Sequence, residues 1–84
     1  MNLCMITFRS VTPAQRADML LRRTGVYCKL GRTPRHMEEQ GCGYSLKIKC
    51  LDLPEALQLF SQGSIQFRKI YRLDRDGKME EWTS

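Results

Sequence analysis

Eighty-four residues, 42% hydrophobic and 27% charged, suit one small globular domain spanning 1–84 and exclude a disordered chain or a large multi-domain enzyme. No apolar run nears the roughly 20 residues that span a bilayer, so no membrane role is expected. The net charge of +5 is uneven: residues 1–37 hold seven Lys/Arg and one acid, whereas residues 38–84 hold seven Lys/Arg and eight acids.

Met1 to Phe8 has no basic leader and reads as structure, so a cytoplasmic location is expected. Leu3 to Phe8 predicts a strand that is apolar on both faces, with Cys4, Ile6 and Phe8 on one side and Leu3, Met5 and Thr7 on the other. That pattern suits a central strand. Thr12, Pro13 and Gln15 predict an N-cap, a first helical residue and a capping box. The helix then runs to about Arg23, with Ala14, Ala17, Leu20 and Leu21 as its stripe and Gly25 ending it.

Val26, Cys28 and Leu30 alternate with polar residues and predict a second strand. Gly31 to Gly43 reads as a polar loop with one helical turn over Met37 to Gln40. Tyr44 to Cys50 alternates cleanly and predicts a third strand with one buried face. Asp52-Leu53-Pro54-Glu55 opens a short helix, with Leu53, Ala56, Leu57 and Phe60 as its stripe and an end near Gly63. Ile65 to Leu73 predicts a fourth strand, and Asp76-Gly77 turns the chain into a short final strand at Lys78 to Trp82.

The order β-α-β-β-α-β, with an additional C-terminal strand, predicts an α+β fold. The expected architecture is a ferredoxin-like sandwich, an antiparallel sheet with two helices on one face. The join between the second and third strands is far longer than a hairpin turn, and long loops in compact domains tend to carry function.

Four cysteines, Cys4, Cys28, Cys42 and Cys50, include no Cys-x-x-Cys pair, and His36 is the sole histidine. Zinc spacing is therefore absent, and no metal or other cofactor is expected. Cys4, Cys28 and Cys50 fall on buried strand parities and are expected as reduced, unpaired core residues. Cys42 differs. It lies in Gly41-Cys42-Gly43, at the end of the long loop, which also holds Arg32, Arg35 and His36. Nearby cations stabilise a thiolate, the nucleophilic form of cysteine, whereas Glu38 and Glu39 would oppose it if they faced the sulfur.

Phe8-Arg9-Ser10, the helix with Ala17 and Leu20-Leu21, Gly25-Val26, Thr33-Pro34-Arg35 and Cys42-Gly43-Tyr44-Ser45-Leu46 together resemble the Se/S carrier-like family of small proteins. The resemblance spans roughly residues 3–73. It implies a sulfur or selenium carrier, with Cys42 at the position of the family cysteine and Arg35 at that of the family arginine. Arg32, His36 and Gly43 complete the expected site, though His36 matches no family signature. Gly41 departs from the small polar residue the family often has there, and the tail from Asp74 onward lies outside the resemblance. The implied partners are a sulfur or selenium donor, such as a cysteine desulfurase, and an acceptor protein. The role implied is that of a carrier more than an autonomous enzyme.

Two other readings compete. A basic sheet domain invites comparison with RNA-binding modules, which stack bases on sheet aromatics. The first and third strands lack that aromatic pattern, so nucleic acid is disfavoured. A non-catalytic interaction or regulatory module is compatible with the same fold. Neither the oligomeric state nor the choice between sulfur and selenium is legible in the sequence.

Overall fold

The computed structural model describes residues 3–32, 43–74 and 79–81. The expected helical turn at Met37–Gln40 and the Asp76-Gly77 turn lie outside those residues. The described chain is α+β, with two helices and a five-stranded antiparallel sheet. Its strands are β1 (Leu3–Phe8), β2 (Cys28–Arg32), β3 (Tyr44–Lys49), β4 (Ile70–Leu73) and β5 (Met79–Glu81), and its helices are α1 (Val11–Arg23) and α2 (Leu53–Gln62). The sheet order is β2-β3-β1-β4-β5.

The apolar-on-both-faces reading of β1 is explained by its place inside the sheet. It pairs with β3 through Ile6↔Leu46 and with β4 through Ile6↔Ile70. Cys4, Ile6 and Phe8 join Leu46 and Ile48 in a core that also takes Ala14, Ala17 and Leu21 from α1 and Leu53, Ala56 and Phe60 from α2. Both helices therefore bury their stripes against one parity of the sheet. Phe8 meets the edge of Phe60 at a centroid distance of 6.1 Å, an aromatic geometry that adds to the area buried.

The element boundaries shift from the sequence reading for local reasons. Ser10 is extended, with φ −145° and ψ 172°, so α1 starts at Val11 and Ser10, not Thr12, holds the N-cap position. Pro13 still falls among the first helical residues, whose N–H groups have no helical partner. Gly25 has φ +82°, and its N–H donates to the Arg22 carbonyl while that of Val26 donates to Leu21. This is a Schellman ending, and it makes Val26 part of the helix terminus, so β2 begins at Cys28.

The end of α2 repeats the motif. Ser64 and Ile65 donate to the Ser61 and Phe60 carbonyls, and Ile65, like Val26, is buried. Here the left-handed residue is Ser64, at φ 55°, one residue beyond the glycine expected to end the helix.

The fourth strand is shorter than expected because Thr7 takes over the pairing of the segment before it. The Thr7 backbone N–H donates to the Lys69 carbonyl at 2.8 Å, and the Lys69 N–H donates to Thr7 Oγ1 at 3.1 Å. Regular ladder geometry begins only at Ile70.

The cysteine expectation is corrected at two positions. Cys4 and Cys50 form a disulfide, with Cα atoms 5.1 Å apart. Cys50 is not in β3 but opens a 3-10 turn, Cys50–Asp52, that leads into α2. The register explains the pairing. Cys4 sits opposite Ile48, and Cys50 follows Ile48 by two residues, so the two sulfurs emerge diagonally on one face. Cys28 alone of the three is free and buried, as expected.

Two stability predictions follow from these contacts. The disulfide joins positions 46 residues apart, and closing a loop of that length stabilises a fold by about 4 kcal/mol on the chain-entropy estimate. Adding a reductant should lower the denaturant midpoint of the native chain accordingly, while a Cys50→Ala variant should be indifferent to reductant. At the end of α2, Ser64→Gly should raise stability by about 1 kcal/mol, because glycine adopts a positive φ without a Cβ clash. Chemical denaturation of the two proteins would measure it.

Candidate functional site

The long join between β2 and β3 is anchored by residues the sheet holds together. β2 and β3 are antiparallel, and their last described pair is Arg32↔Tyr44. Arg32 is exposed, and its guanidinium carbon lies 5.8 Å from the Tyr44 ring centroid, a cation–π contact. Gly43 is buried immediately before β3. Arg32 and Gly43, two residues of the expected site, thus flank residues 33–42. Cys42, Arg35 and His36 lie outside the described residues.

The remaining thiol chemistry is visible. Cys28 lies on β2, at one edge of the sheet, and faces α1. Its Sγ donates to Asp18 Oδ1 at 3.1 Å. The same carboxylate oxygen accepts from Arg22 Nε at 2.9 Å, one helical turn further along α1. Burial pushes the Cys28 thiol up to about 11, and the hydrogen bond and charge of Asp18 push in the same direction. Arg22 opposes them and loses. The Arg22 guanidinium is in turn held above its ordinary value by Asp18. A thiol in this state is a hydrogen-bond donor and a poor nucleophile.

The sequence reading missed this cluster. The spacing Asp18-x-x-x-Arg22 is a helical i, i+4 pair and was legible as such. What carried no sequence signal was the arrival of β2 beside it, which the helix ending at Gly25 decides. Among the described residues no group of three or more His, Cys, Asp or Glu side chains is placed to hold a metal ion. No described helix is long and apolar enough to cross a membrane.

The sequence model of the family described as "Putative Se/S carrier protein-like" matches residues 3–72. The chain belongs to this family. The match runs from β1 through most of β4 and takes in both the Thr33-Pro34-Arg35 and Cys42-Gly43 motifs. No curated protein and no solved structure matched the chain.

The state of Cys28 makes stability depend on alkaline pH. A thiol whose native value is about 11, against an ordinary value of 9.0, favours folding while both states are protonated. That contribution is intact below about pH 9, where the unfolded chain keeps its proton, and drains away as pH rises toward 11. Two pH units correspond to about 2–3 kcal/mol. In a Cys42→Ser background, the stability of the protein relative to its Cys28→Ser counterpart should therefore fall between pH 8 and pH 10.5, as read by denaturant unfolding at each pH.

Proposed function

We propose that this domain carries sulfur or selenium on Cys42. Three of the four cysteines have other commitments: Cys4 and Cys50 are bonded to each other, and Cys28 is buried against Asp18. That distribution is the observation that carries the reading, because it leaves Cys42 as the candidate for thiol chemistry. Family membership supports it by suggesting what the thiol would carry.

The chemistry is a sulfane transfer. The Cys42 thiolate attacks the terminal sulfur of a donor persulfide. A bond forms between Cys42 Sγ and that sulfur, the donor's S–S bond breaks, and the donor leaves as a thiolate that takes up a proton. Cys42 then holds –S–S⁻, or –S–Se⁻ from a selenium donor, until an acceptor protein takes the terminal atom. Arg35 stabilises the anion, with Arg32 and His36 assisting, and Gly43 gives the backbone beside the sulfur little steric cover. Arg32 can do so only by turning from the Tyr44 ring or by reaching across it.

A cysteine desulfurase is the donor this chemistry suggests, and the domain serves it as a co-substrate with no cofactor of its own. The fold reading that goes with the proposal is the ferredoxin-like one. It is supported by the order β2-β3-β1-β4, in which each neighbouring pair is antiparallel and β5 extends one edge. A cytoplasmic setting belongs to the same proposal. There the Cys4–Cys50 bond must withstand a reducing pool, and the burial of Cys4 at 1% exposure limits attack at that sulfur.

Intact-mass spectrometry tests the carrier role. After incubation with a cysteine desulfurase and free cysteine, or selenocysteine, the native chain should gain one sulfur or selenium atom, reversible by dithiothreitol, and Cys42→Ser should gain none. An equal gain in both proteins, or a gain in neither, would remove the proposal.

A further inference from the structure

We infer that Asp18, acting together with burial, keeps Cys28 out of sulfur-accepting chemistry and confines that chemistry to Cys42. The inference rests on the carrier reading for its purpose, but its physical content is independent of any donor. A carrier with two competent thiols would load both, and an atom left on the wrong one would be lost to the acceptor. Something must therefore separate Cys28 from Cys42.

Burial is the largest cause of the raised thiol, yet it does not close the site off. Cys28 is 5% exposed, but it lies on an edge strand beside an open cleft of about 490 Å³. Arg22, Tyr27 and Lys29 line that cleft together with Cys28 itself. Of the two cations only Arg22 bears on the sulfur, and a nearby cation favours the thiolate. Burial and Asp18 together outweigh it.

Asp18 acts in two ways. Its Oδ1 accepts the Cys28 thiol hydrogen at 3.1 Å, which requires the proton to stay on sulfur. The same oxygen holds Arg22 Nε at 2.9 Å, which occupies the nearer guanidinium. From β3, Cys28 faces Ile48, which contributes no charge. Lys29 adjoins Cys28 on the strand at the opposite parity, and Tyr27 is exposed. Among the described groups, then, Asp18 is the only acid placed against the sulfur. It acts through the protonation of Cys28, as a positioning residue.

The test needs no donor. In a Cys42→Ser background kept free of reductant, the Cys4–Cys50 bond stays closed and Cys28 is the sole alkylatable thiol. Its rate with iodoacetamide, which forms the S–C bond and releases iodide, is followed by intact mass from pH 6.5 to 10.5. With Asp18 present the rate should climb with pH across the whole range without levelling. Asp18→Asn keeps the size of the side chain and removes its charge. It should raise the rate at pH 7 about tenfold for each unit by which the thiol's midpoint falls, and the profile should level off within the range.

Arg22→Gln serves as the second variant. It breaks the same salt bridge but leaves the carboxylate facing the sulfur, so its rate at pH 7 should not rise. An Asp18→Asn profile identical to that of the background would overturn the inference. So would a rise matched by Arg22→Gln, or one that stays parallel to the background at every pH, since those report a loosened helix and not a freed thiol. Because Cys42 is absent throughout, these results stand or fall separately from sulfur loading on Cys42.

Discussion

Everything in this domain is referred to the central strand. β1 is six residues long and hydrogen-bonded on both sides, so its backbone polar groups find partners in β3 and β4 while its side chains from Cys4 to Phe8 stay dry. One parity, Cys4, Ile6 and Phe8, forms the floor on which both helices rest. The other holds Met5 at 2% exposure and Thr7 at 7%. A small domain buries only a modest share of its surface, so a strand apolar on both faces is worth more here than in a larger protein. The same strand supplies half of the disulfide and, through Thr7, the irregular pairing that delays β4.

The helices are set onto that floor by their C-terminal ends. Both close with the same pair of backbone bonds, and in both the residue after the left-handed turn, Val26 or Ile65, drops into the core. The helix ends therefore do more than satisfy carbonyls. They fix the direction in which the chain leaves. For α1 that direction carries β2 to the sheet edge and brings Cys28 under Asp18. The electrostatics of the Cys28 corner are thus a consequence of a backbone turn at Gly25.

The four cysteines share one sequence alphabet but have distinct chemical situations. Two are consumed in a cross-link between the central strand and the turn that starts α2. One is a buried hydrogen-bond donor. The fourth belongs to the long join whose flanks, Arg32 and Gly43, are anchored by the β2–β3 ladder.

Features with a local physical cause were legible in the sequence. The alternation of Tyr44, Leu46 and Ile48, the stripe of Ala14, Ala17 and Leu21, the left-handed glycine at position 25 and the proline at the start of α2 all depend on neighbours within a few residues. The family motifs were legible for the same reason, because they are contiguous. Other features required the chain to be folded. The parity of Cys50 suggested another strand residue, but the 3-10 turn begins there, and only the β1–β3 register brings its sulfur to Cys4 across 46 positions. Thr7 replaces ladder hydrogen bonds of residues more than 60 positions away. The raised thiol of Cys28 comes from burial and from Asp18 on a different element. Backbone preferences act over one or two turns and can be read along the chain, whereas sulfur pairing and thiol ionisation are set by distances that exist only once the sheet has assembled.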